Sequence, residues 1–141
     1  MHATTADLWS SDGTIDCEPG IRPVCSALNS LCGVHTLWSC EGHAIRSYRP
    51  YVVFVAEQRL AFRIHTAIEC GHLSGFLKYC WATSANFRDD GTLQYTTELS
   101  DTRLRRWWFY PLMRGRVDAE IARLATLIHS MNWQPVPIPR G

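Results

Sequence analysis

The chain has 141 residues, of which 46 % are hydrophobic and 11 % aromatic, so it can bury the core of one domain and is not a disordered chain. Its formal net charge of +1 argues against a protein that binds nucleic acid through its overall charge. No segment offers the ~18 consecutive apolar residues of a membrane span, and the N-terminus lacks the features of a secretory signal. We therefore expect a cytoplasmic protein whose six cysteines are reduced.

The first part of the chain is predicted to contain one helix and two strands. Residues 1–20 are rich in turn-forming residues and are predicted to form an irregular arm. Apolar residues at helical spacing predict a helix over 22–31, and Gly33 suits its end. Runs of β-branched and aromatic residues predict strands over 34–39 and 51–56.

A second helix and a hairpin are predicted next. The apolar stripe from Leu60 to Ile68 has helical spacing, and Gly71 is predicted to close this helix in the left-handed conformation. An Asp-Gly pair then separates two aromatic and β-branched runs, over 76–87 and 92–99. Such a pair between two strand-forming runs predicts a β-hairpin.

The remaining elements complete the predicted fold. A further antiparallel strand is predicted over 103–110, and helical spacing predicts a third helix over 117–132. The expected architecture is α+β with two layers, in which three helices cover one face of a mainly antiparallel, five-stranded sheet. We expect this single domain to span 21–134 and to be followed by a proline-rich tail over 135–141.

Polar side chains follow the first predicted strand at the point where the apolar run stops. Gly42 lets the backbone approach a ligand, and neighbouring amides together with Ser39 can hold an anion. In the alternative interpretation, Ser39 and Glu41 only satisfy backbone groups of the turn, and His43 is solvated. We call this segment the ligand turn, and it comprises Ser39, Cys40, Glu41, Gly42 and His43.

Two chemical sites can be built on the ligand turn. Cys40 and His43 together with Cys70 and His72 are a two-Cys, two-His donor set for zinc, although their spacing is not that of a standard zinc finger. Cys40 is also a candidate nucleophile, with His43 or His35 as the base and the glutamate of the ligand turn as the local acid. Neither constellation is complete in the sequence, so we predict no metal, no cofactor and no catalytic residue.

A cluster of arginine and aromatic residues lies in the last third of the chain. Arginine and tryptophan dominate the energetic hot spots of protein interfaces, and the same pair can stack on bases and bind phosphates. In the alternative interpretation, the segment is an edge strand whose arginines prevent aggregation while its aromatic residues cap the core. The predicted partner-binding residues are Arg103, Arg105, Arg106, Trp107, Trp108, Arg114 and Arg116.

The predicted first helix contains Leu28-Asn29, and the strand after it ends in Ser39-Cys40-Glu41-Gly42-His43. This order resembles the wybutosine-synthesis tRNA methyltransferase family, in which a helix with a Leu-Asn pair leads to a strand ending in Ser-Cys-x-Gly and a basic residue. Tyr51-Val52-Val53-Phe54 resembles the following strand of that motif. The resemblance makes Ser39, Cys40 and Gly42 the matching positions, places His43 where the family has arginine, and implies S-adenosylmethionine as a cofactor.

In size and type the chain is also similar to anti-defence proteins of bacterial mobile elements, including anti-CRISPR proteins, which are compact, usually non-catalytic and bind a large nuclease complex. That similarity implies a bacterial protein or nucleoprotein complex as the partner, with nucleic acid as a further candidate and no membrane. We therefore predict a small non-catalytic binding protein that acts through its arginine and tryptophan residues. The alternative is a tRNA-modification-related enzyme or ligand-binding domain that uses the ligand turn.

Overall fold

A computed structural model describes residues 17–45 and 48–131, which form an α+β fold with three α-helices and a four-stranded antiparallel sheet. In chain order the elements are α1 (Arg22–Asn29), β1 (His35–Cys40), β2 (Tyr51–Val55), α2 (Gln58–Leu73), β3 (Trp81–Phe87), β4 (Leu93–Leu99), two short 3-10 helices (Arg106–Phe109 and Pro111–Met113) and α3 (Gly115–His129). The predicted tail and residues 1–16 of the predicted arm lie outside the described residues. Within the described ranges, no helix is long and apolar enough to cross a membrane.

A tight connection joins α1 to β1. Gly33 adopts a φ of +88°, in the left-handed region that glycine enters without steric cost, but it lies in the following turn and not at the helix end, because α1 ends at Asn29 with Ser30 as its C-cap. The Asn29 side chain then bridges the turn, because its Oδ1 accepts the Thr36 amide at 3.0 Å and its Nδ2 donates to Thr36 Oγ1 at 2.9 Å. These two hydrogen bonds hold the start of β1 against the end of α1.

The sheet has the strand order β1-β2-β4-β3, with every neighbouring pair antiparallel. The predicted hairpin is confirmed, since β3 pairs with β4 across a turn in which Gly91 has a φ of +84°. The register of β1 against β2 shifts between Thr36 and Trp38. Because of this order, β1 and β3 are the two edges of the sheet, and the end of β1 lies at the same end of the sheet as the start of β3.

The core lies against one face of the sheet. In β4, Tyr95, Thr97 and Leu99 are buried, whereas the residues between them are half-buried. This alternation places one side of the strand on the core, where it forms a single cluster with buried side chains of the helices. Fully buried helical side chains such as Ile64 and Leu124 each contribute roughly 1.5–3 kcal/mol by leaving water.

The prediction of a fifth strand over 103–110 is wrong. The buried residues of this segment are Leu104, Trp108 and Phe109, while Trp107 remains 49 % exposed. That spacing does not fit the two-residue period of a strand, whose alternate residues would point to the same face. The chain instead turns through the two 3-10 helices, which bury Trp108 and Phe109 side by side.

Two further sequence predictions are corrected. Gly71 does not cap α2 but lies inside it, where a Cβ would be 2.9 Å from Leu127 Cδ2, so glycine permits close packing with α3. The positive φ of +82° that follows α2 belongs to Gly75. Not all cysteines are reduced, because Cys17 and Cys25 form a disulfide, whereas the other four cysteines are not in a disulfide bond.

Candidate binding site

The ligand turn begins where β1 ends, and its conformation requires glycine. Gly42 has a φ of +87°, which L side chains rarely adopt. A Cβ at this position would also lie 2.6 Å from the Tyr48 carbonyl oxygen and 2.7 Å from Phe109 Cε1. The glycine therefore lets the turn pack directly against the aromatic ring that follows Trp108 in the chain.

The segment before α1 binds the ligand turn through its polar groups. Ser39 Oγ lies 3.1 Å from Cys17 Sγ, and because that sulfur belongs to a disulfide, the hydroxyl is the donor. The Gly20 amide donates to Glu41 Oε2 at 2.7 Å. Glu41 therefore satisfies a backbone amide, as the alternative interpretation of the sequence expects, whereas Ser39 binds a side-chain sulfur and His43 pairs with Glu18 instead of being solvated.

Glu18 joins Cys40 and His43 in a compact cluster. His43 Nε2 lies 2.7 Å from Glu18 Oε2, and their side chains are only 29 % and 33 % exposed. The Glu41 amide donates to Glu18 Oε1 at 3.3 Å, and the Gly42 amide donates to Cys40 Sγ at 3.4 Å. Burial opposes ionisation of Glu18, but the hydrogen bonds from His43 and the Glu41 amide outweigh it and lower its pKa.

The four-residue zinc set that the sequence analysis considered, without predicting a metal, is not assembled. Cys40 lies at the end of one edge strand, while His72 at the end of α2 contacts Cys80 before the other edge strand, with Nε2 and Sγ 3.4 Å apart. Three strand spacings of about 4.8 Å separate these edges, or roughly 14 Å, which is too far for one metal ion to bridge. The structure groups Cys40 and His43 with Glu18, not with Cys70 and His72.

Glu18 is the member of this cluster that the sequence analysis missed. It lies 22 positions before Cys40, inside a segment that reads as a turn, and no local spacing relates the two residues. The sequence analysis assigned Glu41 as the acidic partner of the cysteine–histidine pair. In the structure, Glu41 instead accepts a hydrogen bond from the Gly20 amide. The sequence offered one signal: Glu18 lies next to Cys17, a cysteine that can link the arm to α1.

We refer to residues 103–116 as the arginine–tryptophan segment. Trp107 is 49 % exposed, but Trp108 is only 7 % exposed and belongs to the core. Its Nε1 is buried and has no acceptor within residues 17–45 and 48–131. Trp108 was predicted as a partner-binding residue, and the structure places it beneath the surface that its neighbour Trp107 presents.

Several arginines of the segment lie over aromatic rings. Cation–π contacts of this kind fix a guanidinium in place and leave its edge free for hydrogen bonds. The distances from guanidinium carbon to ring centroid are 5.3 Å for Arg103 over Tyr79, 4.9 Å for Arg116 over Trp108, 5.3 Å for Arg106 over Tyr48 and 5.9 Å for Arg114 over Phe109. The charges of this surface are therefore held in fixed positions.

The arginines differ in how much of their hydrogen-bonding capacity the protein itself uses. Arg114 donates to the carbonyl oxygens of Gly42 and Glu41 at 2.8 and 2.6 Å, and it also pairs with Asp118. Arg103 is bound to Asp101 and to the Lys78 carbonyl oxygen.

The other arginines of the segment are less occupied. Among the described residues, Arg106 donates only to the Ala44 carbonyl oxygen, at 3.3 Å. The Arg105 side chain is exposed and has no hydrogen bond or ion pair with the described part of the chain. The guanidinium groups of Arg105, Arg106 and Arg116 are therefore less occupied than that of Arg114, which holds the ligand turn.

Exposed apolar side chains extend this surface, and the sequence analysis missed them. A fold rarely leaves large apolar side chains close together in water unless they meet another molecule. Their exposed fractions are 82 % for Ile45, 49 % for Tyr110, 97 % for Leu112 and 47 % for Met113. The sequence analysis did not identify these residues as exposed, because it predicted a strand over 103–110 and so assigned the neighbouring aromatic residues to a sheet.

A cleft of about 450 Å³ separates the ligand turn from the arginine–tryptophan segment. Its volume falls within the range of roughly 300–1,000 Å³ that is typical of small-molecule sites. The lining residues are Glu41, Gly42, His43, Ala44, Ile45, Phe109, Tyr110, Pro111 and Arg114. Three residues of the ligand turn therefore line this cleft, but Arg114 is the one predicted partner-binding residue that does so.

Comparison with known proteins gives no relative for this chain, since no family model, no curated protein and no solved structure matches it. Both resemblances derived from the sequence therefore stay predictions.

Proposed function

We propose that this protein acts by binding a macromolecular partner through the exposed part of the arginine–tryptophan segment. The observation that carries the proposal is the combination of exposed Trp107, Tyr110 and Leu112 with the guanidinium groups of Arg105 and Arg106 on one short stretch of chain. Tryptophan, tyrosine and arginine are the residues whose loss most often weakens protein interfaces. Buried Trp108 and Phe109 anchor the 3-10 helix Arg106–Phe109 in the core, which fixes the backbone beside these side chains and lowers the ordering cost of binding.

The partner we propose is a bacterial protein or nucleoprotein complex in the cytoplasm, and the concrete form of the proposal is an anti-CRISPR-type inhibitor of a nuclease complex. The anti-defence role rests on the similarity in size and type described above. A surface of mixed arginine and apolar character supports a protein partner more than a bare nucleic acid, because Leu112 and Met113 have no role in binding phosphates. Binding of this kind needs no catalytic residue and no cofactor.

A ligand-binding or tRNA-modifying role is the second candidate, and the cleft is the observation that favours it. Gly42 and His43 of the ligand turn line this cleft, and both belong to the motif that resembles the methyltransferase family. A molecule bound there would contact Arg114 and Tyr110 on the opposite wall. Isothermal titration calorimetry with S-adenosylmethionine tests this candidate, and saturable binding would favour it over the inhibitor.

The inhibitor proposal is tested with two triple variants that remove the same residue types. The first, Arg105→Ala/Arg106→Ala/Trp107→Ala, removes the centre of the proposed surface. The matched control, Arg59→Ala/Phe62→Ala/Arg63→Ala, removes two arginines and one aromatic residue that are equally exposed on α2. Each tagged protein is used to capture partners from a bacterial lysate that contains a CRISPR nuclease complex.

We expect the wild-type chain and the α2 variant to retain nuclease-complex subunits and to inhibit cleavage of target DNA. The first triple variant should lose both properties while its circular-dichroism spectrum stays that of a folded protein, although loss of the Arg106 contacts with Ala44 and Tyr48 should lower its thermal stability. Retention of binding by that variant would contradict the proposal, as would an equal loss in the α2 variant. Capture of tRNA without nuclease subunits would support the second candidate.

A further inference from the structure

Three different metal-ligating side chains converge at the ligand turn. The carboxylate of Glu18, the thiol of Cys40 and the imidazole of His43 each offer one ligand atom, and these atoms all lie within 4.8 Å of one another. The three residues come from two separate segments, because Glu18 precedes α1 while the other two end β1 and follow it. Tertiary structure, and not local sequence, brings them together.

The arrangement of the cluster differs from a catalytic relay. In a nucleophile–base–acid relay, the imidazole lies between the thiol and the carboxylate. Here one ligand atom of each residue lies within 4.8 Å of the other two, so the thiol and the carboxylate are too close for the imidazole ring to stand between them. Cys40 is also only 9 % exposed, which leaves little room for a substrate to reach its sulfur.

The surroundings of the cluster match those of a metal site. The Gly42 amide points at Cys40 Sγ from 3.4 Å, and the Glu41 amide points at Glu18 Oε1 from 3.3 Å. Amides that donate to a ligating thiolate and carboxylate orient these ligands and stabilise their negative charge. Glu18 and His43 keep 33 % and 29 % of their side chains exposed, so an ion can enter from solvent.

We propose that Glu18, Cys40 and His43 bind one Zn²⁺ ion. One thiolate, one imidazole and one carboxylate form a borderline-soft donor set, which suits zinc more than magnesium or calcium. Binding replaces the thiol proton of Cys40, which leaves to solvent, and it replaces the hydrogen bond between Glu18 and His43 by two metal–ligand bonds. Three protein ligands leave the fourth tetrahedral position open for a water molecule.

This inference goes beyond the proposed function and departs from the sequence prediction of no metal. The ion would tie the segment before α1 to the end of β1, as the Gly20–Glu41 hydrogen bond already does. It is independent of the partner, because none of its ligands belongs to the arginine–tryptophan segment. Loss of partner binding would therefore leave the metal site intact.

Titration of the chelator-treated full chain with Zn²⁺ and with Co²⁺ tests the proposal. We expect one equivalent of each ion to bind, and the Co²⁺ form to show the visible bands of tetrahedral cobalt together with a thiolate-to-cobalt charge-transfer band. Cys40→Ser and His43→Gln should each weaken binding by at least about 100-fold, since changes outside the ligand shell already cost about 10–100-fold.

The control is the double variant His72→Gln/Cys80→Ser, which removes the second cysteine–histidine contact at the other sheet edge and should bind both ions like the wild type. Thermal unfolding without metal shows whether each variant is folded. Absence of saturable binding by the wild-type chain would overturn the proposal, whatever the variants do. It would also be overturned if Cys40→Ser kept its affinity or if the control variant lost it.

Discussion

Two buried carboxylates, Asp101 and Glu120, hold the backbone that leads into β3. Glu120 is fully buried and accepts the amides of Lys78 and Tyr79 at 3.0 and 2.9 Å. Asp101 accepts the next amide, that of Cys80, at 2.9 Å. Three consecutive amides are thus satisfied by two side chains from distant parts of the chain, so removal of either carboxylate leaves partly buried donors without that acceptor.

Asp101→Asn is predicted to destabilise the protein in a pH-dependent way. Hydrogen bonds from Arg103 hold the pKa of Asp101 well below its usual range, against the opposing effect of burial. A depressed folded-state pKa means that the carboxylate contributes fully above the ordinary Asp pKa of about 4 and loses this contribution as the pH falls. We expect Asp101→Asn to lower the free energy of unfolding by about 2–3 kcal/mol at pH 7. At pH 3 this decrease should be smaller by about 1 kcal/mol.

Urea denaturation of both proteins at the two pH values measures this effect. The control is Asp89→Asn, the same chemical change at an exposed aspartate, which should alter the free energy of unfolding by less than about 0.5 kcal/mol. A loss that is independent of pH would show that the Asp101 charge is not what stabilises the fold.

At the scale of elements, Arg114 connects the start of α3 to the ligand turn. A positive charge near a helix N-terminus is unfavourable for the helix dipole, so its position serves the turn instead. Its guanidinium donates to the carbonyl oxygens of Gly42 and Glu41, and its side chain is only 14 % exposed. The contact determines how far the two walls of the cleft stand apart.

Arg114→Ala is therefore predicted to lower the free energy of unfolding by about 2 kcal/mol, because two buried carbonyl groups lose a charged donor. Amide hydrogen exchange of the ligand turn should become faster, while exchange in β4 stays slow. The control is Arg116→Ala, which removes an exposed arginine over Trp108 and should cost about 0.5–1 kcal/mol. Equal effects of the two variants on the turn would contradict this role for Arg114.

The elements that the sequence predicted correctly are those with one clean periodicity. The three helices each carry an apolar stripe, and the hairpin carries an Asp-Gly turn, so local spacing was sufficient. As a strand, the segment over 103–110 would place apolar and basic residues on both of its faces. The spacing of its apolar residues therefore could not show whether the segment is a strand. The packing of Trp108 against Tyr79, 29 positions earlier, determined its structure instead.

The candidate site depended more strongly on contacts that are distant in sequence. The ligand turn was located from the sequence, as was the cluster of arginines. The sequence did not show that the two lie next to each other, because the contact between Arg114 and Gly42 spans 72 positions. Glu18 was missed for the same reason, since its approach to His43 requires the complete α1–β1 connection.

At the scale of the whole molecule, the candidate sites lie at one end of the sheet. The ligand turn follows the end of β1, and Tyr79, which packs on Trp108, precedes the start of β3 at the same end. The opposite end carries the hairpin turn and Phe87, which is 80 % exposed. Exposed apolar side chains therefore occur at both ends, and only one end combines them with arginines held over aromatic rings.

This difference between the two ends of the sheet predicts different effects on partner binding for two similar substitutions. Leu112→Ser and Phe87→Ser each remove a large apolar side chain that is 97 % and 80 % exposed, so both should change the free energy of unfolding by less than about 0.5 kcal/mol. If the partner covers the arginine–tryptophan segment, Leu112→Ser should weaken its binding about tenfold, which corresponds to roughly 1.4 kcal/mol of buried contact. Phe87→Ser should bind as the wild type does. Surface plasmon resonance with the captured partner measures both, and a larger loss in Phe87→Ser would place the interface at the hairpin end of the sheet.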